Sequence, residues 1–332
     1  MTDSSPPSHV WAGFNYTWEL LSHRIAQMRV MPDGDGAVAL QMVGGDWSTG
    51  ARRRDDPFYR VRTHRIHARD FVVVHGETPL IIGPSGEAIA TETLNAPGVL
   101  AMPEQVIVLR GFDINTAIPQ PDAFPSDYDP AQGYTTRGVG LSVSAPTKDA
   151  DGNALRFQVA ARLRWGPLDR EDMNAAMQHA QTAMTVGWTA IGFAGSVASH
   201  AVSDEAAYPH APPYSKHPLL GEETMRIDDL PPRPGFTAIR RMDLVLDAQD
   251  GSDKGVYVRA IGAEILPRKP GIPQRLLAAG SNASMFEEVG VTFRPSAELL
   301  WLHLADKEAK ITMISQEGQH PVGAFHVSGH EK

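Results

Sequence analysis

The alternation of apolar and polar positions is clearest between Gly138 and Trp165. Leu155, Phe157, Val159, Ala161, Leu163 and Trp165 alternate with Arg156, Gln158, Ala160, Arg162 and Arg164. A period of two sustained over eleven residues predicts a strand with one buried and one wet face. Upstream, Val139, Leu141, Val143 and Ala145 alternate with Gly140, Ser142 and Ser144. The run between them, Pro146 to Asn153, carries Asp151-Gly152-Asn153, residue types that take the positive-φ positions of a hairpin loop. The two runs are expected to pair as a hairpin.

After Gly166-Pro167 the period changes. Asp169 suits a helix N-cap, with Asp172 three residues on to complement the positive helix end. Met173, Ala176, Met177, Ala180, Ala183 and Met184 follow mostly at spacings of three and four. The spacing predicts one main helix near 169–186, stopped at Gly187 and followed by a buried strand to Phe193. No Asp, Glu, Lys or Arg occurs from Asn174 to Val202. Glutamines, threonines, serines and glycines interrupt that window, so a buried helix and strand are expected there rather than a membrane span.

A second hairpin is expected from Arg24–Val30, the Asp33–Gly36 turn and Ala37–Val43. Strands are expected over Phe58–Ala68, Phe71–Val74 and Gln105–Asn115, the last buried on both faces. Met242, Leu244 and Leu246 precede a polar run ending at Gly255, and Val256, Val258 and Ala260 follow it. This third pair matches the first in its Asp/Gly loop and in a terminal proline, Pro167 or Pro267, which raises an internal duplication. A short helix over Gln274–Ala279 and strands over Glu288–Arg294, Leu299–Leu304, Lys310–Ser315 and Val322–Val327 complete the reading. The fold class is mainly β: an antiparallel sandwich, jelly-roll-like form or barrel with one main helix. A disordered tail at 1–9 is expected to precede β-rich units over 10–135 and 136–328, or one domain spanning both.

Composition narrows the function classes. With 332 residues, 42% hydrophobic and 21% charged, the chain is typical of a globular protein. A net charge of −9 argues against nucleic-acid partners, which select a basic surface. No cysteine is present, which excludes disulfides, thiolate metal sites and cysteine nucleophiles. Met1 to Pro7 lacks the basic region and apolar core of a signal peptide. A cytoplasmic location is the default expectation, with leaderless secretion or release within a particle left open.

Motifs for chemistry are sparse. His64 and His67 have odd spacing, which on a strand sends them to opposite faces. His75 and Glu77 share a face but lack a third ligand nearby in sequence. No metal or cofactor is expected. Gly83-Pro84-Ser85-Gly86 is not a nucleophile elbow, and Gly138-Val139-Gly140 lacks the helix a dinucleotide site needs. Asp33–Gly36 and Asp149–Gly152 are turns without the spacing of a calcium loop.

Two long Pro-rich polar segments stand out instead. One, Asp113–Gln132, carries Phe124 and Tyr128; the other, 203–235, carries Tyr208, His210, Tyr214 and His217. Loops of this length bind partners more often than they fill a compact domain. The leading expectation is a non-enzymatic structural or recognition protein acting through these loops on a protein partner, another copy of itself foremost. One alternative is an enzyme or small-ligand-binding protein with its site inside a β-barrel. Another is a carbohydrate-binding module using Trp11, Trp18 and Trp47.

Overall fold

A computed structural model describes residues 7–17, 23–32, 38–46, 58–115, 136–165, 182–208, 219–227, 234–248, 257–267, 274–283 and 291–319. These residues form 19 strands and one four-residue helix, α1 (Pro97–Leu100). Every recorded strand pairing is antiparallel. The fold is thus mainly β, and long-range alternation of apolar residues accounts for it.

A six-stranded sheet runs in the order β14 (Leu219–Ile227), β17 (Gln274–Ala283), β16 (Tyr257–Ile265), β1 (Ser8–Thr17), β4 (Phe58–His67), β19 (Lys310–Gln319). An eight-stranded sheet runs β12 (Gly195–Ser203), β18 (Val291–Leu304), β15 (Gly235–Ala248), β8 (Thr136–Val143), β10 (Leu155–Trp165), β6 (Glu87–Leu94). Two short strands complete it: β13 (Ala206–Tyr208) on β18 and β9 (Thr147–Lys148) on β10. A five-stranded sheet runs β3 (Val38–Asp46), β2 (His23–Pro32), β7 (Glu104–Asn115), β11 (Thr182–Phe193), β5 (Phe71–Ile82). All three sheets take strands from both sides of position 135.

The expected hairpin between 139 and 165 is present, with Val143 opposite Val159 and Leu141 opposite Ala161. Arg24–Val30 and the described part of the second run, Val38–Val43, likewise lie in the paired strands β2 and β3. The third expected pair is different. Met242–Leu246 lies in β15 of the eight-stranded sheet, and Ala260 lies in β16 of the six-stranded one. That removes the shared hairpin on which the duplication rested. Gln274–Ala279 is strand β17 rather than helix, held between β14 and β16. Residues 182–186 of the expected main helix are strand too, bonded to both β5 and β7. The rest of that helix, 169–181, and the strand over Val322–Val327 lie outside the described residues.

Glu288–Arg294 and Leu299–Leu304 were expected as separate strands. Over the described residues they are one strand, β18, passing through a buried Pro295. A proline inside a sheet lacks a ladder donor and is tolerated only where no acceptor needs one. Here β12 ends opposite Ser296 and β13 starts opposite Phe293, so the partner strand is interrupted where the N–H is missing. The Pro295 carbonyl still accepts from the Asp204 N–H at 3.0 Å.

The apolar positions converge on two cores. The larger takes Phe14, Leu109, Phe112, Phe157, Trp188 and Leu299 among others, from all three sheets. The smaller gathers Val10, Ile66, Val108, Phe193, Phe236 and Leu302. In β7, Ile107 and Leu109 face the larger core and Val106 and Val108 the smaller, as its two-sided apolar sequence predicts.

Candidate functional site

One polar arrangement recurs in all three sheets: an arginine and a carboxylate two strands apart, joined over a glycine on the strand between them. Neighbouring strands lie about 4.8 Å apart, so a side chain on the middle strand would stand between such partners. In the six-stranded sheet Gly13 pairs with Arg62 on one side and Glu264 on the other. Glu264 is fully buried and takes Arg62 Nε at 2.6 Å and Arg60 Nε at 2.8 Å. Gly13 has φ +115° at a bulge, and a Cβ there would collide with the backbone of Ala263 and Glu264. Glycine is required both for the backbone conformation and for the close approach.

The other two sheets repeat the arrangement. In the eight-stranded sheet Gly140 lies between Arg162 and Asp243, and Arg162 Nη1 reaches Asp243 Oδ2 at 3.2 Å. A Cβ on Gly140 would sit 3.1 Å from Asp243 Oδ1 and 3.2 Å from Arg162 Cβ. In the five-stranded sheet Gly187 lies beside Glu77, and the bulged Arg110 approaches Glu77 to 3.9 Å. Sequence reading passed over Glu264. Its signal was a single acid inside the apolar run Ala260-Ile261-Gly262-Ala263-Glu264-Ile265.

The outer face of the eight-stranded sheet bears an open groove of about 210 Å³. Its floor is Gly140, Ser142 and Ala160; Glu87 and Ile89 stand on one side, Arg241 and Asp243 on the other. Arg162 crosses it, bonding Glu87 at 2.6 Å as well as Asp243. Pockets for small molecules usually enclose about 300–1,000 Å³. This groove is smaller, and both its acids are already bonded to Arg162.

His64 and His67 lie on opposite faces of β4. His64 is buried against Phe236, ring centroids 5.2 Å apart, while His67 is exposed. His64 Nε2 lies 2.9 Å from the Thr237 carbonyl, an acceptor, so the proton sits on Nε2. Burial holds its pKa down at about 4 against that hydrogen bond. The unfolded ring titrates at 6.5, so between these values the unfolded chain binds more protons and stability falls as pH falls. The contribution is complete above about pH 6.5 and lost near pH 4, an effect of about 3 kcal/mol. Urea midpoints taken across that window should fall less in His64→Gln than in the unchanged protein. Equal slopes would show that His64 is not the group responsible. Among the described residues, no group of three or more His, Asp or Glu converges to hold a metal.

Trp11, a carbohydrate-contact candidate from the sequence, is 1% exposed and stacked on Phe14 in the larger core. Trp18, Trp47, Phe124, Tyr128, His210, Tyr214 and His217 lie outside the described residues. Tyr208 ends β13 opposite Val291. The segment 203–235 is not one loop, because it contributes β13 to the eight-stranded sheet and β14 to the six-stranded one. No helix among the described residues is long and apolar enough to cross a membrane.

The three large hydrophobic side chains exposed among the described residues are Ile81 (59%), Ile89 (64%) and Ile314 (39%). They lie on β5, β6 and β19, each the terminal strand of a different sheet. No protein-family model matches the chain, and no curated protein matches it.

Proposed function

We propose that the chain is a non-enzymatic β-sandwich protein that works through its surfaces, as a self-assembling structural or recognition subunit. Its partner is another copy of the same chain, and neither nucleic acid nor membrane is involved. The observation that carries this reading is the placement of Ile81, Ile89 and Ile314 on the terminal strands of three sheets. A terminal strand presents unpaired backbone donors and acceptors, and natural proteins usually guard it with charge, proline or a cover. An exposed isoleucine there adds apolar area to an edge that already templates pairing. Tyr208, His210, Tyr214 and His217, on the segment that passes between two sheets, are proposed as further partner contacts. A cytoplasmic location accompanies this reading.

The test is native mass of the full chain, 36.0 kDa as a monomer, at several concentrations. Assemblies larger than one chain are expected. Lysine at position 81, 89 or 314 should shrink at least one of them while leaving the melting temperature nearly unchanged. A protein that stays monomeric at every concentration would overturn the reading.

A further inference from the structure

We infer that two chains join through β6, edge to edge and antiparallel about a two-fold axis at Ala90, extending the eight-stranded sheet across the pair. The inference rests on the self-assembly reading and names the edge and register that serve it.

Of the three edges bearing an exposed isoleucine, β6 is the least guarded. Pro79 interrupts β5 and offers no N–H. Lys310 opens β19, and Gly318 lies near its end. In β6, Glu-Ala-Ile-Ala-Thr-Glu-Thr-Leu, there is no proline, glycine or lysine. The one strand that pairs with it among the described residues is β10.

The direction of its backbone groups follows from two hydrogen bonds. Leu163 N–H donates to the Gly86 carbonyl at 2.9 Å, and Ser144 N–H donates to the Gln158 carbonyl at 2.9 Å. Backbone groups along a strand alternate sides, so odd-numbered residues of β10 face β6 and even-numbered ones face β8. Ala88, Ala90, Glu92 and Leu94 lie opposite Ala161, Val159, Phe157 and Leu155 and therefore bond to β10. The N–H and C=O groups of Glu87, Ile89, Thr91 and Thr93 point to the edge left open among the described residues, those of Glu87 lying 3.4 Å from the Ser85 hydroxyl, which the pairing displaces. Those four residues also carry the exposed side chains of the strand.

A two-fold axis at Ala90 uses all four. Glu87 then faces Thr93 of the other copy, and Ile89 faces its Thr91, each pair exchanging two N–H···O bonds. No like charges oppose, and the β-branched Ile and Thr make favourable cross-strand pairs. The two Ile89 side chains become diagonal neighbours on the same face. Moving the axis to Ile89 would leave Thr93 opposite Ser85, in the turn before the strand. The resulting contact is isologous, the symmetry of most two-chain assemblies.

The absence of cysteine makes the test clean. Directly opposed residues in an antiparallel pair lie about 4.5–5.5 Å apart at Cα, within disulfide range, whereas diagonal ones lie about 7–8 Å apart. An oxidised equal mixture of Ile89→Cys and Thr91→Cys chains should give mixed covalent dimers. Each variant alone should give roughly tenfold less. Thr91→Pro removes one outward N–H without touching the β10 ladder, and should shift the native mass toward monomer with the melting temperature kept. If the unchanged protein assembles but the mixture cross-links no better than either variant alone, β6 pairing is overturned and the self-assembly reading stands. A monomeric unchanged protein overturns both. Should Thr91→Pro unfold the chain, the cysteine mixture still decides.

Discussion

Glu264→Gln should destabilise the protein by about 3–5 kcal/mol. The carboxylate is fully buried and held by Arg60 and Arg62, and Arg62 is itself only 9% exposed. Glutamine keeps the shape but removes the charge, leaving buried Arg62 without its counter-ion. Removing one partner of a buried pair costs far more than removing both, because the survivor keeps its desolvation penalty. Glu264→Leu combined with Arg62→Met should therefore recover much of the loss. Urea unfolding of the single and double variants measures both effects. A cost below about 1 kcal/mol for Glu264→Gln would mean that water reaches the site.

Phe157→Ala should cost a similar amount, about 3–5 kcal/mol, through the cavity it leaves. Phe157 is 2% exposed, and its ring meets Trp188 edge-on at 5.0 Å. Trp188 cannot move in to fill the space. Its Nε1 donates to Thr78 Oγ1 at 3.0 Å, and that hydroxyl donates to Glu92 Oε1 at 2.8 Å. Gly76, directly across from Trp188, has no side chain because the indole occupies that volume. Phe157→Leu fills part of the cavity and should cost about half as much. If alanine and leucine unfold at the same urea concentration, the site collapses freely and the packing argument fails.

What the sequence made legible was the strand whose partner lies nearby. The β8–β10 hairpin shows in its alternation and in Asp151-Gly152, and the structure places Gly152 at φ +70°. The misread elements are those whose character comes from distant neighbours. Ala183 and Met184 stand three and four residues after Ala180, a helical spacing, yet Thr182, Met184 and Val186 are buried while Ala183 is exposed. That period of two is imposed by β5 and β7 on either side, a tertiary effect that overrides local preference. Gln274 to Ala279 reads as helix for the same reason: its leucines and alanines favour helices in isolation, and only β14 and β16 make this run a strand. The ion pairs of Glu264 were illegible because its partners are Arg60 and Arg62, some 200 residues away in sequence. No spacing rule links them, and Gly13 between them looked like any other glycine.

The pairing of the first strands with the last has a consequence for synthesis. Gly13 waits for Glu264, and Phe58 waits for Gln319 near the end of the chain. A ribosome emits these partners many seconds apart, at roughly 5–20 residues per second. During that interval β1 and β4 can bond to each other but to no other part of their sheet, and Phe14 and Val61 have only a fraction of their final neighbours. Folding that depends on such distant closures is slow, and its unfinished forms expose strand edges. Synthesis of β16 and β19, more than any local element, then sets when this sheet is completed.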